Sequence, residues 1–219
     1  MLVAGVDDAG RGPIIGPLVI AGVLLEEKEL EKLKALGVKD SKLLSPKRRE
    51  HLAVEIKRIA IRYCSESLSP EQIDKVVETG RKLHRLNRLE ADIMAKIIEA
   101  LRPDIAYVDA SDVLADRFKA HIIDKLACEV EIISEHKADA TYPIVSAASI
   151  IAKVERDRAI QELADKYGDM GSGYVTDPRT IAFLEKWLAT HGSYPRFVRK
   201  SWKPAKELRN NAKVEQTKL

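Results

Sequence analysis

The sequence predicts an α/β fold, built either as one large domain or as one domain with a small appendage. Apolar runs of strand length alternate along the chain with segments whose apolar residues recur at helical spacing. The predicted strand from Leu2 to Val6 leads directly into an acid, and the predicted strand from Ile105 to Asp109 ends on one. A length of 219 residues is enough for a substantial core. We expect the first strand and the turn after it to organise the rest of the chain.

Composition favours a globular protein of a reducing compartment. Apolar residues make up 45% and the mean hydropathy is -0.22. Cys64 and Cys128 lie far apart and form no CxxC, so we expect two buried free thiols. The longest apolar stretch, Pro13 to Leu25, is too short for a membrane span and contains Pro17. Acids precede it where a signal peptide carries basic residues, and we therefore expect a cytoplasmic protein.

The turn after the first strand carries the clearest chemical signal. Asp7 and Asp8 are adjacent, and like charges this close both stay ionised only beside a cation, most commonly a divalent metal. Gly10 and Gly12 remove Cβ atoms where backbone amides could approach a sugar or a phosphate, and Arg11 adds a permanent positive charge. Alone, Gly-Arg-Gly is more often an ordinary turn. Next to the acid pair, it favours a functional site.

The elements up to residue 101 follow from local signals. Leu18 to Leu25 predicts a second strand paired with the first, and a short helix from Lys28 to Leu36 ends at Gly37. Ser45-Pro46 and Ser69-Pro70 each combine an N-cap hydroxyl with a proline in the first helical turn. The remaining predicted elements are a helix from Pro46 to about Ile61, a strand from Arg62 to Leu68, a short helix after Ser69 and a helix from Leu86 to Leu101.

A second acid-tipped strand opens the next part of the chain. If Ile105 to Asp109 is a neighbour of the first strand in the sheet, Asp7 and Asp109 come together. Asp112 is predicted as the N-cap of a helix from Val113 to Leu126. The later predicted elements are a strand from Glu129 to Ile133, a helix containing the small residues of Ser146 to Ala152, a helix from Asp177-Pro178 to about Ala189, and a short helix that frays from Asn210.

Four polar or aromatic side chains in the second half can be interpreted in two ways, as structural or as functional. Lys153 and Arg156 are three residues apart on one helix face, which is either a solvated edge or part of a site. Tyr174 follows two glycines, an arrangement suited to stacking on a sugar or base, although a loop tyrosine is more often simply packed. His136 has no partner at metal-ligand spacing, and we expect it to be a surface histidine.

The chain resembles a known family through three separated motifs in the same order. They are Gly5-Val6-Asp7-Asp8-Ala9-Gly10-Arg11-Gly12-Pro13, the stretch from Lys137-Ala138-Asp139 to Ser146-Ala147-Ala148-Ser149-Ile150, and Gly173-Tyr174-Val175-Thr176-Asp177-Pro178. Together they resemble type 2 ribonuclease H (ribonuclease HII). The resemblance extends from Val3 to about Arg199 and has one departure, because Asp8 stands where the family has glutamate.

The resemblance implies the ribonuclease H-like fold. Its core is a five-stranded mixed sheet flanked by helices, followed by a helical C-terminal portion. Residues 1–190 would then form the catalytic domain, and residues 191–219 a basic extension and tail. From Arg196 to Leu219 the chain has eight Lys or Arg and two Glu, which suits a polyanionic partner.

It also implies a hydrolase for RNA paired with DNA. The substrate would be an RNA–DNA hybrid or a DNA duplex with embedded ribonucleotides, cut by two-metal-ion catalysis to leave 5′-phosphate and 3′-hydroxyl ends. The implied catalytic and metal-binding residues for two Mg²⁺ or Mn²⁺ ions are Asp7, Asp8, Asp109 and Asp139. The implied substrate contacts are Gly10, Arg11, Gly12, Ser41, Lys42, Ser146, Lys153 and Tyr174. In the family, the tyrosine of the third motif senses the RNA-to-DNA junction.

Two rival functions stay open from the sequence alone. Asp8 could spoil the metal site and leave a module that binds hybrids without cutting them, or the four acids could serve a DNA nuclease of the same fold. The Gly-Arg-Gly turn and Tyr174 argue against the second rival, because a DNA nuclease need not sense a 2′-hydroxyl. We expect a monomer without a sliding-clamp partner, since no aromatic pair ends the chain.

Overall fold

The computed structural model describes residues 1–38, 44–79 and 84–216. Its strands are β1 (Leu2–Ala9), β2 (Leu18–Glu26), β3 (Arg62–Leu68), β4 (Ile105–Asp109) and β5 (Glu131–Glu135). Within the described ranges they form one five-stranded sheet in the order β3-β2-β1-β4-β5. The expected mixed sheet is therefore confirmed, although β5 lies two residues later than predicted.

Strand β1 lies in the middle of the sheet. It pairs antiparallel with β2 and parallel with β4, and β4 pairs parallel with β5. Val3, Ala4 and Val6 are fully buried, as expected for an apolar strand that has neighbours on both edges. The acids near its carboxyl end are consequently attached to the central strand of the sheet.

The helices begin where local capping signals predict. Ser45 accepts a hydrogen bond from the Arg48 N–H, and Ser69 forms a capping box with Gln72. Gly37 ends the first helix in the left-handed conformation (φ 76°), which glycine adopts without strain. The helices are α1 (Leu30–Leu36), α2 (Pro46–Ile59), α3 (Pro70–Glu78), α4 (His84–Leu101), α5 (Ala115–Ile123), α6 (Ala138–Thr141), α7 (Pro143–Tyr167), α8 (Pro178–His191) and α9 (Lys203–Gln216).

The prediction that Asp112 caps a helix is wrong. Helix α5 begins at Ala115 after Leu114, and Asp112 is instead buried, with its carboxylate accepting hydrogen bonds from the Asn87 side chain and the Leu114 N–H. The Arg117 guanidinium completes this network. Burial raises the pKa of Asp112, but the hydrogen bonds outweigh it and hold the pKa well below its ordinary value.

Two other expectations also need correction. The thiols are free but not both buried, since Cys64 is half-buried and Cys128 is exposed. The last helix does not fray from Asn210, because α9 continues to Gln216. Among the described residues, no helix combines the length and the apolar character needed to cross a membrane.

The chain divides into two compact units, each with its own core. The first comprises the described residues of Met1–Ala9, Val19–Ser67 and Leu83–Glu155, and the second comprises those of Gly10–Leu18, Leu68–Lys82 and Arg156–Leu219. In the first, apolar residues of β2 and α2 pack with Val145, Ala148 and Ile151 of α7. In the second, the core consists of Ile14, Ile15, Ile160, Met170, Leu184, Leu188, Tyr194, Val198 and Ala205. A domain boundary at residue 190 stays a prediction.

Candidate active site and substrate-binding loops

Asp7 and Asp109 stand at the carboxyl ends of neighbouring parallel strands. Val6 of β1 pairs with Val108 of β4, and an aspartate follows each of them. Asp7 is only 3% exposed. The structure confirms that the two acid-tipped strands are neighbours, which the sequence could state only as a condition.

Asp8 lies on the opposite face of the sheet from Asp7. Strand β1 continues through both residues, Asp7 pairing with Ala21 and Asp8 with Ile20, and successive side chains of a strand alternate between faces. The Ser111 hydroxyl lies 3.3 Å from the Asp8 Oδ1 and donates to it. Sequence analysis missed Ser111, whose only signal was its position two residues after Asp109.

The face that carries Asp7 packs very closely against helix α7. A Cβ atom at Gly5, two residues before Asp7, would lie 2.2 Å from the Ile144 carbonyl oxygen, so only glycine fits there. This close approach brings Ser149 of α7 to the Asp7 carboxylate, with which it hydrogen-bonds. The Lys153 ammonium in turn donates to the Ser149 hydroxyl. The signal for this chain of contacts was the four-residue spacing of Ser149 and Lys153 on one helix.

Asp139 follows a residue that is hydrogen-bonded to Asp109. The Ala138 N–H donates to the Asp109 Oδ1 at 2.7 Å, which ties the first turn of α6 to the end of β4. Lys137 just before it has a left-handed backbone (φ 58°) that starts this short helix. Asp139 is 5% exposed and follows directly on the tied residue. Asp109 therefore holds in place the backbone of the residue that precedes Asp139.

The Asp7 carboxyl is electrostatically strained. Burial raises its pKa well above the ordinary value, and the nearby carboxylates of Asp8 and Asp109 raise it further. The Lys153 ammonium and the hydrogen bond with Ser149 oppose this shift only in part. A buried carboxyl among like charges is the environment that a bound cation relieves.

The donor set fits a hard divalent cation by its chemistry. Carboxylate oxygens suit Mg²⁺ and Mn²⁺ better than they suit zinc. In the described part of the chain, no three His, Cys, Asp or Glu side chains lie in an arrangement that could already hold a metal ion. The carboxylates of Asp8 and Asp109 are thus close enough to raise the pKa of Asp7, although the described residues contain no completed three-ligand site.

A separate loop carries Gly10, Arg11 and Gly12. Gly10 has a positive φ of 87°, and a Cβ atom there would lie 2.6 Å from the Pro17 carbonyl oxygen, so glycine is required on both grounds. The guanidinium of the fully buried Arg199 donates to the carbonyl oxygens of Gly10, Arg11 and Gly16. The loop is therefore held by its backbone, and sequence analysis missed Arg199 because it read the C-terminal arginines as a basic end.

Tyr174 lies beside this glycine loop. A Cβ atom at Gly12 would come within 3.7 Å of the Tyr174 ring, and the ring is 38% exposed. The preceding Gly173 accepts hydrogen bonds from the backbone N–H groups of Ile14 and Ile15. The structure thus brings together two of the motifs that the sequence presents 160 residues apart, with an aromatic face left accessible.

The remaining predicted substrate contacts are less supported. Ser146 is 1% exposed, and its hydroxyl oxygen has no hydrogen-bond partner within the described residues. Its assignment as a substrate contact stays a prediction that burial does not favour. Ser41 and Lys42 lie outside the described residues. His136 is exposed and contacts the Val113 carbonyl oxygen, in agreement with a surface histidine.

Comparison with known proteins agrees with this geometry. The family model described as Ribonuclease HII matches residues 4–205. A relative named Ribonuclease HII from Pyrococcus abyssi (strain GE5 / Orsay) is 48% identical over 221 residues, covering 100% of this chain and 96% of the relative.

Two solved structures are similar over nearly the whole chain. The crystal structure of the ribonuclease H2 from Pyrococcus horikoshii OT3 has a TM-score of 0.89 at 45% identity, covering 97% of this chain and 99% of that one. The structure of the PCNA:RNase HII complex from Archaeoglobus fulgidus has a TM-score of 0.85 at 45% identity, covering 94% and 96%. This chain therefore belongs to the ribonuclease HII family of metal-dependent endoribonucleases, which act on RNA–DNA hybrids.

Proposed function

We propose that this protein hydrolyses the RNA strand of RNA–DNA hybrids and also cuts on the 5′ side of ribonucleotides embedded in duplex DNA. The products would carry 5′-phosphate and 3′-hydroxyl ends. The observation that carries the proposal is the pair of aspartates at the ends of adjacent parallel strands, with Asp7 buried among like charges. Family membership supports the hybrid substrate, and the embedded ribonucleotide is our extension.

Asp7, Asp8, Asp109 and Asp139 would hold two divalent ions, Mg²⁺ or Mn²⁺. When bound, such ions generate a nucleophilic water at neutral pH and stabilise charge on the leaving 3′ oxygen. The protein's own residues keep the carboxylates in place. Ser149 and Lys153 orient Asp7, and Ser111 restrains Asp8. In this arrangement Lys153 is a partner of the carboxylate cluster, and its assignment as a substrate contact stays a prediction.

The loop of Gly10, Arg11 and Gly12, together with Tyr174, would recognise the ribose. A protein distinguishes RNA from DNA at one position through the 2′-hydroxyl, which both donates and accepts hydrogen bonds. The closeness of Gly12 to Tyr174 supports a shared surface, because a Cβ atom at residue 12 would already lie in van der Waals contact with the ring, 3.7 Å from it. Arg199 supports the same surface by holding the loop carbonyl groups.

Partner proteins stay at the level of prediction. The Archaeoglobus fulgidus relative was solved in complex with PCNA, which describes that protein. That this chain acts as a monomer stays a prediction.

The test uses an end-labelled DNA duplex with one ribonucleotide, beside an all-DNA duplex of the same sequence. We expect cutting 5′ of the ribonucleotide in Mg²⁺ or Mn²⁺, none with a chelator, and an intact all-DNA control. Cutting of both duplexes would instead identify a DNA nuclease. Binding without cutting in either metal would identify a hybrid-binding module.

The aspartate at position 8 is expected to weaken the use of Mg²⁺. Asp8 starts from the opposite face of the sheet from Asp7, so the length of its side chain decides how far it reaches. Aspartate is shorter than glutamate by about 1.5 Å, one C–C bond, whereas metal–ligand distances tolerate only about 0.2 Å. We expect Asp8→Glu to raise the Mg²⁺ activity relative to the Mn²⁺ activity by about tenfold.

The measurement is initial rates in each metal for the wild type, Asp8→Glu and a control, Asp165→Glu. Asp165 is exposed on α7, and the control should leave the metal ratio unchanged. If the wild type and Asp8→Glu have the same activity in both metals, the length argument is wrong.

A further inference from the structure

Arg156 of α7 is a buried arginine for which the proposed chemistry has no role. It is 7% exposed, and its Nη2 donates to the Ser172 carbonyl oxygen at 2.7 Å. Its Nη1 is 3.4 Å from the Asp157 carboxylate on the same helix. An arginine is permanently charged, so burying it requires specific contacts. The solvated helix edge considered in the sequence analysis is therefore wrong for this residue.

The Arg156 side chain occupies the space that two glycines leave free. A Cβ atom at Gly10 would lie 3.1 Å from both its Cδ and its Nε. A Cβ atom at Gly173 would lie 3.3 Å from its Nη2. Its Cζ lies 5.1 Å from the centroid of the Tyr174 ring, within the range of a cation–π contact. One side chain thus touches both of the loops to which ribose recognition is assigned.

These contacts do not provide a hydrogen-bond acceptor for every N–H group of the guanidinium. Within the described residues, the buried Nε of Arg156 has no hydrogen-bond partner. A buried N–H without an acceptor is costly, so a residue chosen only to fill this space would be apolar. The arginine is better explained by what its planar, charged end does for the residues around it.

We propose that Arg156 is a positioning residue for ribose recognition. Its guanidinium would pack against one face of the Tyr174 ring and set the distance between that ring and the Gly10 backbone. A ring displaced by about 1 Å would no longer meet the ribose correctly, because small misplacements of this kind cost about 100-fold in rate. This inference rests on the proposed function and adds a residue that determines its specificity.

Arg156→Lys is the informative variant. Lysine keeps the charge and most of the length but loses the flat guanidinium and its fork of donors. We expect kcat/KM on the duplex with a single ribonucleotide to fall by roughly 10- to 100-fold, mainly through kcat, because the loss is felt in the transition state. A hybrid whose RNA strand is uniform should be affected much less, since it offers no RNA-to-DNA junction. Arg158→Lys, an exposed residue on the same helix, is the matched control and should change neither rate.

A double-mutant comparison separates positioning from general packing. If Arg156 acts through the tyrosine, Arg156→Lys should have no further effect in a Tyr174→Ala background. Equal losses in both backgrounds, or equal losses on both substrates accompanied by a lower melting temperature, would overturn the inference and leave a structural role. Failure of the wild type to cut the single-ribonucleotide duplex would overturn the proposed function and this inference together. A wild type that cuts it, with Arg156→Lys cutting equally well, would overturn the inference alone.

Discussion

Asp7→Asn is expected to abolish hydrolysis while making the metal-free protein more stable. Activity should fall by at least about 1000-fold, because a metal-held carboxylate contributes several kcal/mol of transition-state stabilisation. Stability should rise because the substitution removes a buried charge that lies near two other carboxylates. Asparagine has nearly the same shape, so the packing beneath helix α7 is retained.

The stability gain should depend on pH in a defined direction. The pKa of Asp7 is raised in the folded protein, by burial first and then by Asp8 and Asp109. Because the pKa of Asp7 is higher in the folded than in the unfolded protein, protonated Asp7 stabilises the folded state fully at pH values below the unfolded-state pKa. This stabilisation is lost as the pH rises through the folded-state pKa. The wild type should therefore lose stability relative to Asp7→Asn as the pH is raised from about 4, the ordinary aspartate pKa, through the raised value.

Thermal unfolding with a chelator, at several values from about pH 4 to about pH 8, measures this difference directly. The exposed residue Asp165 provides the control, and Asp165→Asn should show no such trend. Added Mg²⁺ or Mn²⁺ should raise the melting temperature of the wild type more than that of Asp7→Asn, because ligands stabilise the state that binds them. A difference in melting temperature that stays flat with pH, or shrinks as the pH rises, would contradict the electrostatic account of this site.

Arg199→Ala is expected to be the most destabilising change in the C-terminal segment. Its guanidinium is fully buried and donates to the carbonyl oxygens of Gly10, Arg11 and Gly16, and it lies 5.0 Å from the Trp202 ring. Each buried acceptor left unpaired costs about 1–3 kcal/mol, so we expect a loss of about 4 kcal/mol after partial relaxation. In a chain of this size, that corresponds to a melting temperature lower by roughly 10 °C.

The control lies three residues earlier in the chain. Arg196 has a side chain that is 90% exposed and lies 3.6 Å from Glu71. Exposed ion pairs of this kind contribute at most about 1 kcal/mol, so Arg196→Ala should be nearly neutral. Urea unfolding of both variants, with Arg199→Lys as a partial rescue, gives the comparison. If Arg199→Ala and Arg196→Ala unfold alike, the carbonyl contacts of Arg199 do not stabilise the loop.

Much of the framework could be predicted because its signals are local. The sequence predicts N-caps at Ser45 and Ser69 and a helix start at Asp177-Pro178, and all three side chains cap their helices in the structure. Capping depends on groups within four residues of each other, so a linear reading contains the whole interaction. The strand that ends at Asp109 could be recognised in the same way, from its apolar run and the acid at its tip.

Features that depend on distant partners could not be predicted. Asp112 has the sequence context of an N-cap, yet Asn87, 25 residues away, and Arg117 draw it into a buried network. From the sequence, Arg156 and Arg199 can be taken for surface charges, because the residues adjacent to them in the chain do not indicate that both side chains are buried against glycine loops. The face of the sheet on which Asp8 lies likewise depends on how far β1 continues before the turn.

The sequence by itself predicted all five strands, the helix starts at Ser45, Ser69 and Asp177, and, through the family resemblance, the candidate carboxylates and the residues assigned to ribose recognition. These follow from periodicity, capping and motif, which are properties of neighbouring residues. Only the tertiary structure decided that Asp7 is buried against α7, that Asp8 stands on the other face, and that Arg156 and Arg199 are buried against the loops of Gly10 and Gly173. Burial and charge neutralisation arise between residues far apart in the chain, and they exist only once the chain has folded.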